Sequence, residues 1–540
     1  MKAKVHDASG SKLRALLYAT AGISLMFASC PGPLKSETAN ENLNGKVELI
    51  VSKVDPMPVL AGTPQFYVSP KGQRRGDGSI NNPWDFSTVC GGSADGSFVT
   101  PPAAIKPGST ILLRAGTYTG AFRCTFNGTA SAPITLRAYA GERVIIDRPA
   151  IDGQNAVQTP LWLEGNYIWA IGLEITNSNP TRKGTQDDGY ARPICVAMTG
   201  LSTKLINSFV HDCGVGVFPG ATQHGGEVYG NLIYNNGWID TRLLSTGHGI
   251  YAQNLSNTKL IKDNIVFNNY GWGIHAYGTS QDNLKGFDII GNAVFGSGGP
   301  GHTTHPDLEL GGANIPASRV NIDSNYFYWY GGLDIGYHFP NNMDLRFTNN
   351  VIWMGGWVTT GWQTATVTGN RWQGQLTEMS FDHPRSTFIP SQYDWDHNEY
   401  HYLGTGSPFI VDNASRGEFN FWRKQTGFDS NSTFTTAPLK GVTIYLRPNA
   451  YDPNRSHIII YNWDGKATAT VDVSSVLPAG ARYELRNVED YFGTPVLTGV
   501  YNGQPLQVPM TGLNIVAPLG GSAAERRNEA NFNVFVLTRR

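Results

Sequence analysis

The residues best able to move protons lie in three short phrases, GHGIYAQN (247–254), GWGIHAYG (271–278) and HPDLELGG (305–312). Side chains alternate across a strand, so every second residue of a strand shares a face. Ile250 and Ala252, Ile274 and Ala276, and Leu308 and Leu310 then point into a core. His248, Tyr251, Gln253, Trp272, His275, Tyr277, Asp307 and Glu309 point out, and Asp334 of GGLDIG (331–336) faces out on the phrase that follows. Aligning Ile250 with Ile274 sets Tyr251 beside His275, about 4.8 Å away if the strands are neighbours. A Tyr/His pair can share proton transfers at a carbon acid and a leaving oxygen, with Arg242 or Arg192 neutralising an adjacent anion. Glu309 with Asp307 or Asp334 could instead supply two carboxyl groups, one acid and one base or nucleophile. His275, Tyr251, Glu309, Asp334 and Arg242 are the candidate catalytic residues. His248, Trp272, Tyr277, Asp307, Arg192 and His305 are the candidate binding residues.

Positioning these residues requires a repeat, and one is present. Asn207, Asn231, Asn264, Asn292, Asn325 and Asn350 each open the same phrase: Asn, any residue, an apolar residue, usually an aromatic. A period of a few tens of residues with short alternating segments is the signature of a solenoid. The segments are too short for helix pairs, and the Asn and Gly between them mark turns, which predicts a parallel β-helix. The Asn row is read as a hydrogen-bonding ladder at the turns. Counting to the next strand gives 10 residues from Asn207 to Val217, from Asn264 to Ile274 and from Asn325 to Ile335, but 19 from Asn231 to Ile250 and 16 from Asn292 to Leu308. Insertions therefore fall at one corner in three coils, near 180–193, 237–247 and 297–306. Stacking would make them the wall of a cleft, offering Asp187, Asp188, Arg192, Asp240, Arg242, His302 and His305.

The phrases IKPGSTILLRAGTYTG (105–120), APITLRAYAGERVIID (132–147) and GLEITNSN (172–179), with the two phrases around Tyr251 and His275, resemble right-handed parallel β-helix proteins of the pectate-lyase-like superfamily. The resemblance spans roughly 64–435. It implies an all-β chain, a right-handed parallel β-helix, and a carbohydrate-active role. Under that role two reactions suit the residues: β-elimination on a uronic-acid-containing polymer, which is favoured, and glycoside hydrolysis by the paired carboxyls. A non-catalytic glycan-binding surface protein is the remaining alternative, because one fold hosts many functions. Calcium is the one cofactor the carboxylates would suit, although no calcium-loop motif is present, and the paired His302 and His305 lack a third zinc ligand. The sequence has no phosphate-binding Gly loop, serine nucleophile elbow or CxxC pair.

Residues 436–540 read as a separate β-sandwich, with strands in VTIYLRP, HIIIYNWDG, ATATVDV, ARYELRN and FNVFVLT. It resembles the C-terminal sandwiches of many carbohydrate-active enzymes, and a stabilising role is favoured for it over a binding one. Only 15% of residues are charged and the net charge is −1, so nucleic acid is not implied as a partner. The N-terminus carries a basic segment, then the apolar stretch from Ala15 to Phe27, then Phe27-Ala28-Ser29-Cys30. This resembles a bacterial lipoprotein signal over residues 1–29, with Cys30 as the lipid attachment site. A tether over residues 30–63 and a lipid-anchored place in the bacterial cell envelope would follow. The four remaining cysteines, Cys90, Cys124, Cys195 and Cys213, permit two disulfides or four buried thiols.

Overall fold

A computed structural model describes residues 46–49, 64–91, 100–150, 159–184, 192–279, 283–337, 341–374, 379–382, 389–412, 415–522 and 530–540. Its main body is a parallel β-helix. Among the described residues, three sheets of 12 strands each run side by side. Their pairing is parallel throughout, except for the last pair of the second sheet, Phe409–Val411 with Ser415–Gly417.

The sequence makes each coil by a recurring turn. The residue before the ladder position has positive φ: Asn207, Gly230, Asp263, Gly291, Ser324, Asn349, Gly369 and His397, between 49° and 70°. Gly has no Cβ to clash there, and Asn and Asp tolerate the left-handed region better than most residues. Next comes the ladder itself. Asn231, Asn264, Asn292, Asn325, Asn350, Asn370 and Asn398 each donate Nδ2 to the next side-chain Oδ1 at 2.9–3.0 Å, the last of them to Asp429 at 3.2 Å. Each also donates to a buried carbonyl across the coil, as Asn292 does to Ile261 at 2.9 Å. Asn207 is a correction: it takes the left-handed position, and Ser208 holds the ladder place, donating its backbone N–H to Asn231 Oδ1. A second, shorter ladder of Asn236 and Asn269 lies one turn on.

The apolar alternation fills the interior. Ile250, Ala252, Ile274, Ala276, Leu308 and Leu310 are all fully buried, as expected. Cys90–Cys124 and Cys195–Cys213 are disulfides, the first tying the helix Phe86–Cys90 to an early coil.

The C-terminal unit is an uneven sandwich. A six-stranded sheet contains Val442–Pro448, Arg455–Asn462, Phe532–Arg539, Arg482–Asn487 and Leu497–Val500. The sixth strand, Lys46–Leu49, pairs in parallel with Val442–Pro448, so part of the segment read as a tether is structured into this sheet. One face packs on a two-stranded ribbon, Thr468–Val471 with Leu506–Pro509. The other face packs on the β-helix through Tyr445, Ile459, Tyr461, Phe532, Val534 and Val536. Burial on both faces explains why Arg455–Asn462 carries an unbroken apolar run, IIIY.

Candidate functional site

The second sheet is the floor of the site. Its register aligns Tyr251 with His275, His275 with Glu309, and Glu309 with Asp334. The four residues therefore form one row across consecutive coils. Leu333, not Ile335, is the partner of Leu308, so the coil from Asn325 is two residues shorter than the sequence count suggested. That shift sets Asp334 beside Glu309 instead of beside Asp307. His248 aligns with Trp272 in a flanking row.

Within this patch the polar contacts are specific. His275 Nε2 stands 2.9 Å from Glu309 Oε1 in a bent contact, and Trp272 Nε1 donates to Glu309 Oε2 at 2.8 Å. His275 Nδ1 is 3.3 Å from His248 Nδ1. Rings pack around them: Tyr251 stacks on His248 at 4.9 Å, Trp272 on His275 at 5.2 Å, and Tyr277 lies 5.0 Å from His275. His305 sits against Trp272 at 4.5 Å. His275 and Glu309 are only 6% and 7% exposed, whereas His248, Tyr251, Trp272, Tyr277 and Asp334 are half-buried.

These surroundings set the protonation states. Burial raises the Glu309 carboxyl, but the hydrogen bonds and charge of His275 and the Trp272 donor win, and it lies below its usual range. Asp334 goes the other way. Burial and the Glu309 charge push it up to about 7, and its Oδ1 is buried without a hydrogen-bond partner. Burial among rings holds His248 well below the usual imidazole value, with His275 and His305 adding to the effect, so it is neutral at pH 7. Burial likewise lowers His305 to about 4.

The insertions stack as expected where they are described. Lys183 pairs with Ile239, and Gly184 donates to the Ile239 carbonyl at 2.7 Å. The second insertion folds as a hairpin, Trp238–Ile239 with Ser245–Thr246, and Gly301 of the third approaches Ser245. Asp187 and Asp188 lie outside the described residues, as does Cys30. Arg242 projects from the hairpin, where Asp240 holds its guanidinium through Nε at 2.9 Å and Nη2 at 2.7 Å. His302 is exposed in the third insertion.

Two expected binding residues are corrected by burial. Arg192 is fully buried and donates to the carbonyls of Thr181, Asn177 and Asp212, so it braces the first insertion instead of facing a ligand. Asp307 is fully buried too and accepts from Ser297 Oγ at 2.7 Å, fixing the base of the third insertion. Alternation alone placed it outward. The chain is turning into the strand there, and the first residue of Leu308–Gly312 comes one position later. Tyr337 was missed. It is half-buried and meets Tyr277 edge-on at 5.9 Å, and its lone aromatic ring after GGLDIG gave no periodic signal. Among the described residues, no group of three or more His, Cys, Asp or Glu has the arrangement of a metal site.

Short stretches of the chain are similar to known pectate lyases. Over 93 residues it is 41% identical to "Pectate lyase PEL9" of Emericella nidulans, a stretch covering 17% of this chain and 20% of that protein. Over 124 residues it is 32% identical to "Pectate lyase L" of Dickeya dadantii, covering 21% and 26%. The chain thus spans about a quarter or less of the length of these curated relatives. Among solved structures, that of pectate lyase Pel9A matches 65% of this chain and 78% of its own, at 18% identity and a TM-score of 0.39. No family model matches.

Proposed function

We propose that this protein cleaves a polysaccharide over the row Tyr251–His275–Glu309–Asp334, by β-elimination on a uronic-acid-containing polymer. The observation that carries this reading is the chain of contacts from Glu309 to His275 to His248. The Glu309 carboxylate faces Nε2 of His275 and keeps the proton on that nitrogen, which leaves Nδ1 of His275 to accept from Nδ1 of His248. The half-buried His248 then has a basic Nε2 for the substrate. A proton abstracted there moves its positive charge to His275, beside the Glu309 carboxylate. Tyr251, stacked on His248, is the donor for the leaving oxygen. Arg242 is the cation for the substrate carboxylate, exchanging one of its Asp240 contacts. The local likeness to two pectate lyases supports the choice of reaction class. In this reading Trp272, Tyr277 and His305 supply the faces that sugar rings stack on.

Hydrolysis is the second reading, favoured by one observation. Glu309 and Asp334 are neighbouring carboxyls pushed to opposite protonation states, which is the arrangement of a glycosidase acid and its partner. The two disulfides fit an exported protein, and we place it in the cell envelope through a lipid on Cys30. Loss of metabolic fatty-acid labelling in a Cys30→Ser variant checks that placement; undiminished labelling contradicts it.

The test of the reaction is a panel of acidic and neutral polysaccharides, scored together for ultraviolet absorbance of unsaturated ends and for new reducing ends. Both signals support elimination. Reducing ends without absorbance transfer the assignment to Glu309 and Asp334. Neither signal, with glycan binding retained, makes the protein a binding protein.

A further inference from the structure

A cavity of about 460 Å³ opens where the C-terminal sheet meets the first sheet of the β-helix. Tyr328, Trp353 and Gln373 line it as one outward row, each aligned with the next on neighbouring coils. Trp463, Tyr330 and Asn531 share its walls with the apolar Met354, Leu403 and Pro438. The Tyr251–His275 row belongs to a different sheet, so this cavity is not an extension of the cleft.

Its chemistry is distinctive in three ways. First, the aromatic rings are held in fixed planes. Trp463 stacks on Tyr461 at 5.1 Å, lies 4.3 Å from Trp353, and anchors its Nε1 on Thr443 Oγ1 at 3.0 Å. Tyr328 meets Trp353 edge-on at 5.2 Å. Secondly, a buried amide serves the cavity. Gln373 is 3% exposed and its Oε1 accepts from the Leu439 backbone at 2.7 Å, leaving its amide nitrogen to donate. Asn531, half-buried, adds another amide. Thirdly, among the described residues no charged side chain lines the cavity. Rigid aromatic faces with a few amide groups suit a ligand that has apolar C–H faces and a rim of hydroxyls. The absence of a lining cation disfavours a uronate there, whose carboxylate would be desolvated without a partner.

We infer that this cavity is a second carbohydrate site, distinct from the cleft, that takes a neutral pyranose unit of a glycan. It would hold the protein on its polymer while the cleft works on acidic sugars. The site itself stands independently of the cleavage reading, whereas its holding role rests on that reading.

The experiment is native affinity electrophoresis of a His275→Ala protein in gels holding galactan, xylan, β-glucan or mannan, with polygalacturonate as the acidic comparison. Retention is expected on at least one neutral glycan. It should weaken by about tenfold in Trp463→Ala and in Tyr330→Ala. Trp463→Phe, which keeps a ring, should retain most of the binding. Thermal unfolding of each variant reports whether it folds; if Trp463→Ala does not, the half-exposed Tyr330 decides. In the protein with His275 intact, Tyr330→Ala should leave turnover of a soluble cleft substrate unchanged. No retention on any of the four neutral glycans overturns the inference, as does retention that survives both alanine substitutions. Retention by polygalacturonate alone overturns it as well.

Discussion

Asp334 and Glu309 are neighbours in one row, yet their environments pull them apart. Glu309 is supported by Trp272 and His275, while Asp334 has its Oδ1 buried with no donor. A carboxyl whose folded value is raised binds its proton more tightly in the folded chain than in the unfolded one. Stability is therefore greatest below the unfolded value of about 4 and falls as pH rises toward the folded value of about 7. Asp334→Asn should raise the thermal midpoint at pH 8 and leave it nearly unchanged at pH 3; differential scanning at both values checks this. The same group separates the two reactions. Hydrolysis with Asp334 as acid should fail above pH 7, whereas elimination through the low-affinity base His248 should persist there. Much of this residue set was legible in the sequence, because period-2 alternation fixes which face Tyr251, His275 and Glu309 occupy. What alternation could not reveal was depth. His275 is covered by its neighbours' rings, Asp307 is drawn inward by Ser297 of the third insertion, and Arg192 by the carbonyls of Asn177, Thr181 and Asp212.

Stacked turns are what bring residues from four phrases onto one row. Each ladder Asn is buried and links three coils through its side chain, so its loss strands several buried partners. Asn292 accepts from the backbone and side chain of Asn264 and donates to Ile261 and to Asn325. Asn292→Ala should cost about 2–4 kcal/mol in urea unfolding, with little change in m. The Asn phrase was visible in the sequence because Asn fills the ladder position at seven turns from Asn231 to Asn398. Its first member was misplaced by one residue, since Asn also suits the left-handed position that Asn207 occupies. The coil length from Asn325 to Leu333 was hidden for a related reason: Leu333 and Ile335 are both apolar and both point inward, so composition does not choose between them.

The whole molecule is braced by the C-terminal unit. Across the seam, Arg447 lies 2.5 Å from Asp263, and both side chains are almost fully buried. Burial disfavours the Arg447 charge, but Asp263 and Tyr326 outweigh it and hold it above the usual guanidinium range. Removing one partner leaves an uncompensated buried charge, so Asp263→Ala should cost about 3–5 kcal/mol in chemical denaturation. The sandwich strands were legible from their alternation. Their second, docked face was not, because an apolar residue gives no sign of which neighbour covers it. The same docking makes the aromatic cavity at the seam, on a different sheet from the Tyr251–His275 row.

The most direct test of the account is the double-readout cleavage assay on a uronic-acid polymer, run on the unaltered protein beside His248→Ala, His275→Ala and Glu309→Gln. Unsaturated ends are expected from the unaltered protein. The rate should fall by about 10²–10⁴-fold in His248→Ala and His275→Ala, with Glu309→Gln intermediate. Undiminished product from the folded histidine variants would contradict the account.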